Sequence, residues 1–239
     1  MIKFITTLLA LFMFSTSYAK EVKVGIILGF TGPIESLTPG MAAGAELAFN
    51  EASDSGALLG GSTVSSIRAD STCIDSAAAA SAAEFLISQG VTAIMGADCS
   101  GVTGAVLSNV AVPNGVPMIS PSATSPALTT AEDNGLFFRT APSDARGGEV
   151  LADITNDRGI TSVAITYVNT DYGVGLAGVH EAAAKASGIA ATAKTAHEGD
   201  KADYSAEVGV LSSAGGDALV VIGDLDHGGN PIIQRSLDS

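Results

Sequence analysis

Short strand-like runs at residues 22–28, 63–69, 91–95 and 116–119 alternate with Ala- and Gly-rich stretches at 41–52, 76–89 and 102–112. This alternation narrows the fold more than any other feature of the chain. The first run, 22–28, is apolar with little alternation, as a strand covered on both faces is. The stretches between the runs have helical length and helical stop signals: Gly90 follows the second, and Pro113-Asn114-Gly115 breaks the third. In the first of them Ala45, Leu47, Ala48 and Phe49 supply the apolar side. A β-α-β-α-β-α-β order calls for a parallel sheet with helices packed on it. A short strand at 136–139 reads as the first crossover to a second lobe, and the pattern then restarts. Helices are expected at 147–157, 174–186, 204–212 and 231–237, with strands at 162–167, 189–195 and 218–222. The fold class is α/β: two doubly wound parallel-sheet lobes joined by a hinge, 20–139 and 140–239, the second incomplete with three strands.

Residues 1–19 read as a signal peptide rather than as part of the fold. Lys3 gives a positive start, 4–14 is apolar, and Ser17-Tyr18-Ala19 fits the small-x-small cleavage rule, with cutting before Lys20. The apolar run falls short of the roughly 20 residues that a membrane span needs. A buried core helix is the competing reading, and no Cys follows Ala19 to carry a lipid. The expected location is therefore extracytoplasmic. A net charge of −14 argues against nucleic acid or an anionic membrane as partner. The 46% hydrophobic and 15% charged composition excludes disorder. Two cysteines, Cys73 and Cys99, in an exported chain read as a disulfide; two unpaired, small, buried residues are the alternative. Both follow strands, so adjacent strands would bring them to one sheet edge.

The stretch 92–126 holds the candidate binding residues. Loops at the carboxyl ends of parallel strands share one edge, and ligands bind there. Ser100 after one strand and Ser122 and Thr124 after the next should therefore face one crevice. Ser100 stands where a helix begins, a place that offers free N–H groups and a positive dipole end to an anion. A plain helix cap for Ser100 and a plain Ser/Pro turn for Ser122–Thr124 are the competing structural readings.

Several motifs together carry a family resemblance. They are Cys99-Ser100 after an apolar strand, Ser120-Pro121-Ser122-Ala123-Thr124-Ser125-Pro126, Val24-Gly25-Ile26 with Gly32-Pro33, and Asp171-Tyr172-Gly173 with Gly175. In this order they resemble the leucine/isoleucine/valine-binding proteins of branched-chain amino-acid ABC transporters, which are type I periplasmic binding proteins. The resemblance implies a hinged receptor that closes on a small amino acid, or a related carboxylate or amide, with no cofactor. It implies a monomer that serves an ABC permease in the inner membrane from the periplasm, and a bridge between the two cysteine loops. It implies a ligand carboxylate at Ser100 and an ammonium at the Thr124 hydroxyl and the carbonyls of Ser122 and Ala123. Tyr172, expected in the loop after the first strand of lobe two, would close over the ligand. The relatives' aromatic contacts fall near Leu37 and near Asp224 or Leu225, and none of these is aromatic here, so a ligand other than plain leucine is expected. The resembling chains continue past this length and bring an acidic ammonium partner from the second lobe, which implies a C-terminally truncated fragment.

The competing functional classes have weaker support. A sensory ligand-binding module of the same fold would differ only outside this stretch. An NAD-dependent enzyme would use Gly173, Gly175 and Gly178 in a G-x-G-x-x-G pattern with Glu198 downstream, but residues 168–172 separate the strand from the first glycine. Asp224-x-Asp226 begins like a calcium loop, yet Gly228 and Arg235 stand at ligand positions. His180, His197 and His227 lack zinc spacing, and no G-x-S-x-G occurs. Nothing in these patterns suggests catalysis, and no metal is expected.

Overall fold

A computed structural model describes residues 20–238, so the expected signal segment lies outside the described residues. Five strands form one parallel sheet: β1 (Glu21–Leu28), β2 (Thr63–Asp70), β3 (Ala93–Gly96), β4 (Met118–Ser120) and β5 (Phe137–Arg139), in the order β2-β1-β3-β4-β5. Three more form a second parallel sheet: β6 (Ser162–Val168), β7 (Ala190–His197) and β8 (Ala218–Ile222), in the order β7-β6-β8. The α/β class with two parallel-sheet lobes is thus what the chain adopts.

Helices pack on both faces of each sheet, but at the β4–β5 side of the first sheet Ile119 and Phe138 stay 45% and 56% exposed. In β1 the consecutive residues Ile26, Ile27 and Leu28 are all fully buried. Ile27 packs with Ile94 and Met118 against α2 (Ser76–Ser88) and α3 (Ser100–Val106), through Ala79, Ala83, Leu86, Val102 and Val106. Ile26 and Leu28 face Ala42 of α1 (Thr38–Asp54). In the second lobe Val163 and Ile165 meet Ala152 of α5 (Asp144–Asp157) and Ala177 and Ala184 of α6 (Asp171–Ala186). The opposite face carries α7 (Ser205–Ala214) and α8 (Asn230–Leu237), with Val208 and Ile232 packed beside Tyr204. Each fully buried aliphatic side chain contributes about 1.5–3 kcal/mol. The Ala-rich helix faces let backbones approach closely where large side chains would not fit.

Four local expectations are corrected. First, α1 begins at Thr38 with Pro39 in its first turn, and Leu47 (59% exposed) and Ala48 face solvent. The inward stripe runs through Thr38, Ala42, Ala45 and Phe49, a spacing of four, three and four that keeps one narrow helical face on the sheet. Second, Pro113 does not break the helix after β3. A π-helical turn at Leu107–Ala111 precedes α4 (Val112–Asn114), and Val112 N–H bonds Leu107 O. The wider turn accommodates the missing N–H and the bulk of Pro113, and Gly115 in the left-handed region ends the helix. Third, the strand at 136–139 is the edge strand of the first sheet, paired in parallel with β4, and the crossover follows it. Fourth, Tyr172 lies in the first turn of α6, not in a loop, because Thr170 caps that helix by accepting from Gly173 N–H.

Candidate functional site

In the first sheet the strand order reverses between β1 and β3, and in the second between β6 and β8. The loops that leave these four strands line one cleft of about 670 Å³ between the lobes. Pro33, Ile34 and Leu37 come from the β1 loop, and Asp98, Cys99 and Ser100 from the β3 loop. Asn169, Asp171 and Tyr172 follow β6, and Asp224 and His227 follow β8.

Ser100 is the first residue of α3, with Cys99 in the capping position before it, so Ser100 does not cap its own helix. Its buried Oγ accepts the N–H of Ser125 at 3.1 Å, which ties the β3 loop to the β4 loop. The hydroxyl proton remains available to the cleft, beside the unpaired N–H groups of the helix start. Asp98 holds this corner together. Its buried carboxylate accepts from Gly29 N–H, the Ser71 hydroxyl at 3.1 Å and Cys99 N–H at 2.9 Å, so three loops converge on one residue. Cys73 and Cys99 form the disulfide, with Cα atoms 5.2 Å apart, and both line the cleft.

The β4 loop supplies Ser122 and Thr124 to the cleft wall. The Ser122 hydroxyl donates to the Asp98 carbonyl at 3.0 Å, and the Thr124 carbonyl accepts the N–H of Asp144 at 2.9 Å. Ala123 sits behind the wall: it is buried, its N–H bonds Ser120 Oγ, and its carbonyl accepts from Arg139. From the second lobe, Tyr172 is half-buried beside the cleft, and its phenol is pushed up to about 12 by burial and by the negative charges of Asp144 and Asp224. It therefore stays a hydrogen-bond donor at any physiological pH. Asp224 lies on the wall, and burial raises its carboxyl while His227 pulls it down. Leu225 is 63% exposed and is not part of the wall, whereas Leu37 is.

Asp144 was not anticipated. It stands in the first turn of α5, and its carboxyl is raised by burial, with the Thr124 hydroxyl and Arg139 acting the other way. Its Oδ2 is buried without a hydrogen-bond partner. In sequence it reads only as the acidic first residue of a capped helix after Ser143; its approach to Thr124 and Tyr172 depends on how the chain crosses between lobes.

The first two glycines of the G-x-G-x-x-G pattern are close-packed, and the third, Gly178, has open space around it. A Cβ on Gly173 would stand 2.0 Å from the Val168 carbonyl oxygen of β6. One on Gly175 would stand 2.9 Å from Pro126 Cδ of the other lobe. Asp171 likewise reaches Gly101 of α3, so the first turns of α3 and α6 meet across the cleft. The arrangement offers an anion cradle and hydroxyls on one lobe and underbonded carboxylates on the other, which suits a molecule that carries both charges.

Comparison with known proteins gives a consistent picture. The model of a family described as periplasmic binding protein matches residues 21–232. The chain is 32% identical over 227 residues to Leu/Ile/Val-binding protein homolog 3 of Brucella melitensis, covering 93% of this chain and 59% of that protein. It is 31% identical to Leu/Ile/Val-binding protein BraC3 of Rhizobium johnstonii, covering 93% and 60%. It thus spans about three fifths of the length of these relatives. Among solved structures, the substrate-binding protein LivJ of Streptococcus pneumoniae in complex with isoleucine superposes with a TM-score of 0.78 at 26% identity, covering 92% of this chain and 61% of that one. A solute-binding protein of R. palustris in complex with 4-hydroxybenzoate reaches 0.80 at 19% identity, covering 92% and 58%; that likeness concerns the fold alone.

Proposed function

The chain belongs to the periplasmic binding protein family, and on that premise we propose that it captures an α-amino acid in the inter-lobe cleft for delivery to an ABC permease. The protein is exported after cleavage near Ala19 and works in the periplasm as a monomer. The observation that carries this reading is the pairing of opposite chemistries across one cleft. Ser100 and the start of α3 receive the carboxylate. Thr124 and the Ser122 carbonyl receive the ammonium, with Asp144 and Asp224 supplying negative charge nearby.

Closure follows from differential contact. The carboxylate reaches the first lobe in the open form, and Tyr172 and Asp224 complete the set only when the second lobe swings in. Ligand therefore favours the closed state by as much as those added contacts are worth. Tyr172 holds the closed form rather than the encounter, so it acts on the off-rate.

Calorimetry with an amino acid, its amide and its decarboxylated amine tests the proposal. A hydrogen bond to a charged group contributes roughly 1.5–3 kcal/mol, so Ser100→Ala should weaken amino-acid binding about 10- to 150-fold. The substitution also leaves Ser125 N–H unpaired, at roughly 1–3 kcal/mol of stability, so the melting temperature is measured beside affinity. An amine that binds as tightly as the amino acid would remove the carboxylate subsite and the reading with it.

A further inference from the structure

The two walls of the cleft differ in chemistry. Lobe one presents the apolar side chains of Ile34, Leu37, Met41 and Ile74. Lobe two presents Asp171, Glu198, Asp200 and Asp224 against a single cation, Lys201. That cation is already held by Glu207, which is not part of the wall. Asn169 bonds Glu198 and His227 bonds Asp200, but no cation on the wall is left to balance these four carboxylates.

We propose that the cleft takes an amino acid whose side chain ends in a cation, its stem on the apolar side chains of lobe one and its tip between Asp200 and Asp224. The inference rests on the amino-acid reading above and adds the class of side chain. Asp200 is fixed for the task. Its Oδ1 is 3.0 Å from Nε2 of His227, a cleft-lining residue only 6% exposed, and the ring of His227 occupies the space that any side chain at Gly199 would need. His227 Nδ1 has no partner, so that ring is committed to Asp200 alone. The Asp200 side chain is 81% exposed. Closing the cleft over an aliphatic ligand would strip water from the carboxylate and return nothing. A cationic tip returns charge-assisted hydrogen bonds, and an amphipathic side chain matches both walls.

Lysine and norleucine share a stem and differ at its end, so calorimetry with this pair on the purified protein isolates the tip. Lysine should bind at least about tenfold tighter than norleucine, the factor expected for one charge-assisted bond. Asp200→Asn should shrink that preference about tenfold, and the exposure of Asp200 makes it a safe site for folding. Norleucine or leucine binding as tightly as lysine would overturn this inference and leave the amino-acid reading standing. Failure of every amino acid to bind would instead remove the amino-acid reading, and this inference with it.

Discussion

At the scale of single residues, the shape of the cleft is held by a few groups of its own wall whose bonds run to neighbouring loops. Asp98 and the Cys73–Cys99 bridge carry most of this work on lobe one. Thr72 and Cys73 both adopt positive φ (58° and 68°), an unfavourable conformation for residues with a Cβ, and Thr72 N–H is held by Asp70 at 2.8 Å. The bridge closes a loop with a sequence separation of 26, worth roughly 3 kcal/mol by chain entropy. Reductant should therefore lower the melting temperature, and alkylation of native, unreduced protein should label neither cysteine; quantitative labelling of both would contradict the bridge. Ser100, Thr124, Tyr172 and Asp224 were legible in sequence because each sits within a few residues of a strand end, where topology alone directs it to the cleft. Ala123 and Leu225 lie off the wall beside Thr124 and Asp224, because one residue along a loop is enough to turn a side chain from the cleft. Asp144 was invisible because it meets Thr124 and Tyr172 only through the crossover.

At the scale of elements, the strands were legible to within a residue or two. The apolar runs that burial on both faces demands are carried by β1 and β6. By contrast, β2 and β7 hold polar, partly exposed residues and were placed by their position between helices. The helices were less legible. Ala and Gly carry little periodic signal, so the inward stripe of α1 could not be told from its outer face, and the π-turn before Pro113 has no signature in the residue types. The glycine pattern at the start of α6 shows how one motif serves two chemistries. Its first glycine lets the helix lie directly on β6, and its second lets the lobes touch. Gly173→Ala places a methyl 2.0 Å from the Val168 carbonyl oxygen, backbone that cannot rotate away, so the helix must shift. A loss of about 1–3 kcal/mol or more is expected, read as a lower denaturation midpoint at unchanged slope. Gly178, with open space around it, should accept alanine at no such cost. Equal effects at the two positions would show that helix propensity, not contact with β6, governs the first glycine.

At the scale of the whole molecule, the two lobes are built from the same plan but differ in where their buried titratable groups lie. All three histidines of the chain lie in lobe two, and His180 and His197 are buried in it with Nε2 unpartnered. Burial lowers both from the ordinary histidine value. At His180 the Gly148 carbonyl opposes it; at His197 Glu207 and Glu198 oppose it and His227 reinforces it. A histidine lowered in the fold is neutral there and protonated more readily when unfolded. Its contribution is intact above the unfolded value near 6.5 and is lost as pH falls below it. At pH 5.5, one unit down, the loss is at most about 1.4 kcal/mol for each. Asp144 and Asp224 have the opposite sign: with raised carboxyls, they cost stability as pH rises through the carboxylate window, which begins near 4 in the unfolded chain. The two effects oppose each other wherever the windows overlap, so replacing one histidine separates them. Scanning calorimetry at pH 7.5 and 5.5 should show the second-lobe transition moving to lower temperature in acid, with the disulfide-bridged first lobe moving less. His180→Leu should reduce that movement, because it removes one titrating group and keeps the site filled. A second-lobe transition that falls as far in His180→Leu as in the unsubstituted protein would place the acid sensitivity outside this core.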